Sequence, residues 1–262
     1  MPDAAAPQVV DVLAVAPHPD DLEILCGGTL AKLVKQGQRV ALCDLTSGEP
    51  TPRGSLEIRR KEADAARQIL GVPQRLNLDL PNRVLMDCPE NRFLVGTLIR
   101  KLRPKVIVTM AGRTPAASPD HHQGHLLVEA ARFYAQLTKW DDKFGGMPPY
   151  RVPHLVYACV PFDAEQRHWH GTFVVDISDT MEQKLAAIRA YESQFDPDRY
   201  QRVEHFIRSY CGLQGARCGF MYGELFALPH PVGTEDFYHL VNGGKGSIAP
   251  VQLPGHAHLP MN

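Results

Sequence analysis

Residues 9–21 read VVDVLAVAPHPDD, and this stretch decides the fold. Its first part, residues 9–16, is a continuous, largely β-branched apolar run, as expected of a strand buried on both faces. Residues 23–36 then change to helical spacing and stop at Gly37, a residue type suited to the position just after a helix end. A strand, a short polar loop and a helix in this order predict the first unit of a parallel α/β sheet.

The same alternation continues along the chain. Strands are predicted over 39–46, 75–80, 106–110, 154–160 and 173–177, and helices over 55–70, 91–102, 121–137, 180–194 and 200–214. This spacing predicts an α/β fold with a Rossmann-like, doubly wound and mostly parallel sheet that carries helices on both faces. No linker or charge run separates a second unit. We therefore expect a single domain over 1–262, with a core of about 9–231 and an irregular tail, rich in Gly, Pro and His, over 232–262.

The composition is that of an ordinary globular protein and excludes some classes of partner. The formal net charge is -1, so no basic field favours nucleic acid. No apolar run approaches the roughly 20 residues needed to span a bilayer, and residues 1–8 lack the basic character of a signal peptide. Six scattered cysteines without a C-x-x-C pair favour buried thiols in a reducing compartment. We expect a cytoplasmic protein with no membrane or nucleic-acid partner.

Two clusters of acidic residues and histidines follow predicted strands. His18, Asp20 and Asp21 follow the first strand, and the fourth strand leads to SPDHHQGH at 118–125. Because ligands of open parallel sheets bind beyond the carboxyl ends of the strands, both clusters are expected at one site. Nitrogen and oxygen ligands in this mixture suit Zn²⁺, with Fe²⁺ as an alternative, and the second cluster would supply the third ligand.

Structural interpretations compete with a metal site. The His-Pro-Asp-Asp loop could be a turn in which an aspartate caps the following helix. His121 and His125, four residues apart on a helix, could be surface residues. The occurrence of both clusters at strand ends favours the metal site. A nucleotide-binding Rossmann protein is disfavoured, because no G-x-G-x-x-G follows the first strand.

These residues resemble a known family. The segments APHPDDLE and GGTL are similar to the signature of the LmbE-like (PIG-L) N-acetylglucosaminyl deacetylases, and the likeness extends over roughly 9–231. Further blocks of likeness are TSGE at 46–49, residues within 53–63, LDLP at 78–81, PDH at 119–121, LVEA at 127–130 and YGE at 222–224. Within the family, the chain most resembles the branch that deacetylates N-acetylglucosaminyl-malate in bacillithiol biosynthesis.

The resemblance implies a zinc-dependent hydrolase and assigns its site residues. His18, Asp21 and His121 take the positions of the metal ligands. Asp20 takes that of the general base, and Arg53 that of a substrate-binding arginine. The implied substrate is a small N-acetylated sugar, such as N-acetylglucosaminyl-malate, and the implied assembly is a homo-oligomer. Metal-activated water would attack the acetamide.

One position departs from the family pattern. In the family, the block that contains PDH at 119–121 commonly reads His-Pro-Asp-His, where the first histidine helps to stabilise the oxyanion, and Ser118 stands there in this chain. A serine hydroxyl can donate a hydrogen bond but carries no charge near pH 7. His122 is then the nearest candidate to take over the role of that histidine, and Ser118 and His122 are both predicted to bind the substrate. The departure keeps two alternatives open: a non-catalytic metal- or sugar-binding protein on this scaffold, or a deacetylase of a different N-acyl small molecule.

Overall fold

The computed structural model describes residues 9–114, 117–159 and 171–242. In chain order the elements are β1 (Val12–Ala16), α1 (Asp21–Lys35), β2 (Val40–Thr46), α2 (Leu56–Leu70), β3 (Gln74–Leu80), α3 (Pro89–Leu102), β4 (Val106–Met110), α4 (Asp120–Tyr134), a 3₁₀ turn (Asp141–Phe144), β5 (His154–Ala158), β6 (Phe173–Asp176), α5 (Met181–Arg189), α6 (Pro197–Ala216), β7 (Gly223–Ala227) and α7 (Phe237–Asn242). Within those ranges, no helix combines the length and the apolar character needed to cross a membrane.

The strands of the described residues form one sheet in the order β3-β2-β1-β4-β5-β7-β6. The strands β1 to β5 are parallel, and Val12 pairs with both Val40 and Val106. The strand β7 runs antiparallel to its neighbours β5 and β6. The direction of winding reverses between β1 and β4, so a crevice is expected beyond their carboxyl ends. The predicted doubly wound, mostly parallel architecture is confirmed.

Both faces of β1 are buried, as its apolar run predicts. Val12, Ala14 and Ala16 belong to the core cluster that contains residues of α1, α2, α5 and α6. Leu13 and Val15 belong to the second cluster, which contains residues of α3 and α4. This alternation follows from the two-residue period of a strand. Helices therefore cover both faces of the sheet, and the site-bearing loops emerge between them at one edge.

The residues at the ends of α1 and α2 adopt the capping conformations that the sequence predicts. Ser55 caps α2, because its hydroxyl accepts a hydrogen bond from the N–H of Ile58 at 3.3 Å. Such a cap contributes about 1 kcal/mol. Gly71 and Gly37 follow α2 and α1 with φ values of 74° and 80°, the left-handed conformation that glycine adopts without strain.

Some predicted elements differ from the structure. The helix predicted over 180–194 is shorter, because α5 ends at Arg189, and the strand β7 is not among the predicted strands. The sequence of β7, GELFA, is short and its buried Glu224 resembles a surface residue. The tail predicted to be irregular contains α7, whereas residues 243–262 lie outside the described part. Also outside it are Val160, at the end of a predicted strand, and the two histidines beside Trp169.

Candidate active site

The loop between β1 and α1 presents His18, Asp20 and Asp21 at the carboxyl edge of the sheet. Asp20 has a φ of 110°, a conformation that costs a non-glycine residue about 1–3 kcal/mol. Its side chain makes no capping hydrogen bond to α1, so this aspartate is not the cap that the alternative interpretation required. Asp21 Oδ2 instead accepts the N–H of His18 at 2.9 Å and folds the loop back on itself.

Three predicted ligands, His18, Asp21 and His121, converge in space. Asp21 Oδ2 lies 3.3 Å from His18 Nδ1, and Asp21 Oδ1 lies 3.4 Å from His121 Nε2. One potential ligand atom from each residue lies within 4.8 Å of the others. His121 belongs to the first turn of α4, after β4, so the two clusters meet across the point where the winding of the sheet reverses.

The other ring nitrogen of each imidazole has its own partner. His18 Nε2 lies 3.1 Å from Asp120 Oδ2, and His121 Nδ1 lies 2.9 Å from Thr114 Oγ1. Asp120 is itself held by two backbone N–H groups of the loop after β3. Partners of this kind fix the orientation and tautomer of metal-binding histidines. They leave His18 Nδ1 and His121 Nε2 directed to the Asp21 carboxylate.

The Asp21 carboxylate supplies the negative charge that a bound cation requires. Burial opposes the charge of Asp21, but the imidazoles of His121 and His18 outweigh it and hold the pKa of Asp21 well below its usual range. Burial also opposes the charge of His18, but Asp120 and Asp21 outweigh it and raise the pKa of His18 to about 10. The carboxylate–imidazole separations exceed the roughly 2.7–2.9 Å of a charge-assisted hydrogen bond. A divalent cation would serve as the shared partner, and His18 would release its proton on binding.

The donor set fits a catalytic metal site. Two imidazoles and one carboxylate are three protein ligands, which leaves a coordination position for water or substrate. The three residues line one cavity of about 670 Å³. That volume lies in the range of small-molecule binding sites. The arrangement can therefore hold a cation and a small substrate side by side.

Asp20 lines the same cavity, next to Arg59. Arg59 Nη2 lies 3.6 Å from Asp20 Oδ2. Burial raises the pKa of Asp20 to about 7, although the nearby positive charge of Arg59 acts in the opposite direction. A carboxyl group with a pKa near 7 can accept a proton and return it at neutral pH.

Arg59 is the functional candidate that sequence reasoning missed. Its side chain is only 5% exposed, and its Nε and Nη1 have no hydrogen-bond partner among the described residues. The guanidinium carbon lies 5.6 Å from the centroid of the Tyr191 ring, which holds the side chain in place. Buried donors without partners are costly, so a cavity-lining arginine of this kind is suited to substrate oxygens. The signal in the sequence that could have identified Arg59 is its position within residues 53–63, one of the blocks of family likeness.

The structure does not bring Arg53 to the cavity of the triad. Its side chain is 63% exposed and forms an ion pair with Asp196, the residue that caps α6. Arg53 lines a neighbouring cavity of about 350 Å³, and both cavities are lined by Gln194, Arg199 and Arg202. The geometry therefore places Arg59, and not Arg53, in the cavity of the triad, and a contact of Arg53 with the substrate stays a prediction.

Ser118 and His122 differ in whether they line the cavity of the triad. Ser118 lines the cavity of the triad, and its hydroxyl accepts the N–H of Asp120 at 3.3 Å. His122 lines a second cavity of about 270 Å³, which Ser118 lines as well. Its ring stacks on that of His125, with centroids 6.4 Å apart and an angle of 17°. His122 is not among the described residues that line the cavity of the triad, and its role in place of the family histidine stays a prediction.

Part of the wall of the cavity is formed by α6. It is apolar where Val203 and Phe206 line it, and Arg199 and Arg202 stand at its edge. Arg83, from the loop after β3, lines the cavity as well. Neither Arg83 nor Arg202 forms an ion pair with a residue in the described ranges. The outer part of the cavity is therefore positively charged.

The fold and the site together have the features of an α/β enzyme with a candidate cation-binding site. The model of one family, GlcNAc-PI de-N-acetylase (PIG-L), matches residues 13–132, a range that contains both clusters. The chain belongs to this PIG-L, or LmbE-like, family of hydrolytic N-deacetylases, and it is an enzyme of that class.

Relatives and solved structures agree with this membership. The diacetylchitobiose deacetylase of Thermococcus kodakarensis is 34% identical over 229 residues, which cover 82% of each chain. The conserved protein TT1542 of Thermus thermophilus is similar with a TM-score of 0.75 at 35% identity, over 87% of this chain and 99% of that chain. The N,N'-diacetylchitobiose deacetylase of Pyrococcus horikoshii gives a TM-score of 0.74 at 30% identity, over 83% and 82%.

Proposed function

We propose that this chain is a Zn²⁺-dependent deacetylase of a small N-acetylglucosamine conjugate, with Fe²⁺ as the alternative metal. His18, Asp21 and His121 would hold the metal. The observation that carries the proposal is the position of the Asp21 carboxylate, 3.3 and 3.4 Å from two imidazole nitrogens in a cavity that also contains Asp20. The two similar proteins named as diacetylchitobiose deacetylases support an N-acetylated sugar as substrate.

The residues of the cavity can perform each proton step of amide hydrolysis. Zn²⁺ at the triad would supply a Lewis acid that polarises the acetamide carbonyl and makes water acidic near neutral pH. Asp20 would take the proton of the attacking water. It would then deliver that proton to the amine nitrogen as the C–N bond breaks, so that acetate and a free amine result. Asp20 lines the same cavity as the triad, which places its carboxyl group for both transfers.

Negative charge develops on the carbonyl oxygen, and two residues of this chain can stabilise it. The Ser118 hydroxyl and the Arg59 guanidinium both line the cavity. Arg59 has donors without partners and a permanent positive charge, which the serine hydroxyl lacks. One donor to such an oxyanion contributes about 3–4 kcal/mol to transition-state stabilisation. We assign Arg59 to this charge and Ser118 to a weaker contact.

The outer cavity favours a sugar with an anionic aglycone. The apolar wall formed by Val203 and Phe206 suits the apolar face of a sugar ring. Arg83 and Arg202 at the edge suit a carboxylate, as in N-acetylglucosaminyl-malate, and the neutral diacetylchitobiose is the alternative. The cytoplasmic location, the homo-oligomer and the absence of nucleic-acid partners stay predictions.

Acetate release tests the proposal directly. Purified, Zn²⁺-loaded protein would be offered N-acetylglucosaminyl-malate, N,N'-diacetylchitobiose and N-acetylglucosamine at equal concentrations. We expect acetate and primary amine in equal amounts, with the highest kcat/KM for the malate conjugate. Protein with one bound Zn²⁺ per chain that releases no acetate from any of the three would refute the proposed substrate class. Faster turnover of diacetylchitobiose would refute the anionic aglycone alone.

A further inference from the structure

The helix that carries the metal ligand Asp21 is interrupted. Within α1, Cys26 has a φ of -144° and a ψ of 19°, which are not helical values. The residues before this break, 21–25, form a single turn next to the metal site, and residues 27–35 form the longer second part. A break of this kind leaves N–H groups of the second part and carbonyl groups of the first turn without helical partners.

A buried ion pair from distant elements supplies the missing partners. Glu224 of β7 accepts the N–H of Gly28 at 3.0 Å and that of Thr29 at 2.8 Å. Lys184 of α5 donates to the carbonyl oxygen of Ile24 at 2.7 Å and to Glu224 at 2.6 Å. Both side chains are 1% exposed. The pair therefore bridges the two parts of α1 across the break.

Each charge lies at the helix end that favours it. Glu224 faces the N-terminal end of the second part, where the helix dipole is positive, and Lys184 faces the C-terminal end of the first turn. Burial opposes the charge of Lys184, but Glu224 outweighs it and raises the pKa of the ammonium group. A buried ion pair is not by itself evidence of a large contribution to folding stability, because apolar residues of similar size often stabilise a core equally well. Its fit to the break indicates a role in geometry.

The pair acts on the turn that carries the site. The N–H of Ile24 donates to the carbonyl of Asp20 at 3.1 Å, so the Ile24 carbonyl held by Lys184 ends the turn that begins at Asp20. The same turn is held from another side, because Arg75 of β3 donates to Glu23 at 2.5 Å. Without Lys184 and Glu224, residues 21–29 could close the break and form a continuous helix. The first turn would then point elsewhere.

We propose that Lys184 and Glu224 are positioning residues for the metal site. They fix the angle of the first turn of α1 and thereby place the Asp21 carboxylate between His18 and His121. The inference rests on the metal site of the proposed function, but its test requires no turnover.

The test measures Zn²⁺ affinity and stability separately. Zn²⁺ would be titrated into metal-free protein in competition with a chromophoric chelator, and the unfolding midpoint of the metal-free protein would be measured in parallel. Lys184→Met is expected to weaken Zn²⁺ binding at least tenfold, as is typical for residues that orient metal ligands. A loss of stability alone would not change the affinity of the molecules that stay folded.

Arg100 offers a matched control. It is a buried cation whose guanidinium donates to the carbonyl groups of Ala135, Leu137 and Met147, in the α3–α4 side of the molecule. Arg100→Met is expected to lower the unfolding midpoint and to leave the Zn²⁺ affinity unchanged.

The double variant Lys184→Met/Glu224→Gln removes both charges and keeps an acceptor for the N–H of Gly28. This double variant is expected to fold even if Lys184→Met does not. Its Zn²⁺ affinity is expected to fall by the same factor of ten or more.

The outcomes separate the possible failures. Wild-type Zn²⁺ affinity in folded Lys184→Met, or in the double variant, would overturn the positioning role. An equal loss of affinity in Arg100→Met would overturn it too, because the effect would then follow from general destabilisation. A wild-type protein that binds no Zn²⁺ would instead refute the metal site, and with it the proposed function.

Discussion

Asp120 Oδ2 lies 3.1 Å from Nε2 of His18, although the two residues are 102 positions apart in the chain. Burial raises the pKa of Asp120, but the hydrogen bond with His18 and the backbone N–H of Arg83 outweigh it, and the pKa is lowered. Asp120 is therefore an ionised acceptor that determines which nitrogen of His18 faces the candidate metal. The contact joins the two clusters that follow β1 and β4.

The variant Asp120→Asn should weaken Zn²⁺ binding about 10–100-fold, because it keeps the size of the side chain and removes the charge that orients His18. Chelator competition measures the affinity. Asp79→Asn is the control, since the Asp79 side chain is 56% exposed and contacts Arg60 at 3.3 Å, away from the cavity. Equal affinities of Asp120→Asn and wild type would show that the contact does not orient a metal ligand.

The variant Asp20→Asn should keep bound Zn²⁺ and lose at least about 100-fold in kcat, since general acid–base catalysis typically contributes that much or more. Asparagine tolerates the left-handed backbone found at this position, so the fold should be retained. Metal content and acetate release are measured on the same preparation. Loss of the metal would instead place Asp20 among the ligands, and unchanged turnover would remove it from the proton transfers.

The sequence is sufficient to predict both clusters, because the apolar runs that form β1 and β4 determine where each polar loop begins. It is not sufficient to distinguish Arg59 from Arg53. The two arginines flank Ser55, the cap of α2, and only the packing of α2 on Tyr191 buries one of them. Glu224 is hidden for a similar reason: its partner Lys184 lies 40 residues earlier in the chain, so the buried pair is a tertiary contact without a local pattern.

The variants Arg59→Met and Arg53→Met should differ in their effect on kcat/KM. Arg59 is buried beside Asp20 with donors free for substrate, so its loss should lower kcat/KM about 100-fold or more. Arg53 is 63% exposed and paired with Asp196, so its loss should change kcat/KM less than about threefold. Acetate-release kinetics with the same substrate provide both values. A larger effect at Arg53 would reverse the assignment.

The position of Ser118 can be tested in two directions. Ser118→Ala removes a neutral donor and should lower kcat, by up to about 100-fold if its hydroxyl contacts the oxyanion. Ser118→His introduces an imidazole that can carry charge and should raise kcat above that of wild type. Ser209→Ala, at an exposed position of α6, is the control and should leave kcat unchanged. If Ser118→His is slower than Ser118→Ala, another group already occupies the oxyanion position.

Gly124 allows the close approach of α4 to the loop that carries His18. A Cβ atom at Gly124 would lie 2.7 Å from Pro17 Cγ and 3.3 Å from Leu45 Cδ1, whereas at Gly212, in α6, the nearest such atom is at 4.0 Å. Gly124→Ala should therefore lower the free energy of unfolding by about 1–3 kcal/mol, the usual cost of overpacking a core. Gly212→Ala should leave it unchanged or raise it by up to about 1 kcal/mol, because alanine favours helix. Urea unfolding of metal-free protein measures both.

Because Pro17 precedes His18 and Gly124 follows His121 by three residues, Gly124→Ala should also separate the two clusters and weaken Zn²⁺ binding. Gly124→Ala protein that matches Gly212→Ala in both stability and Zn²⁺ affinity would show that the contact between α4 and the β1–α1 loop can relax without disturbing the site.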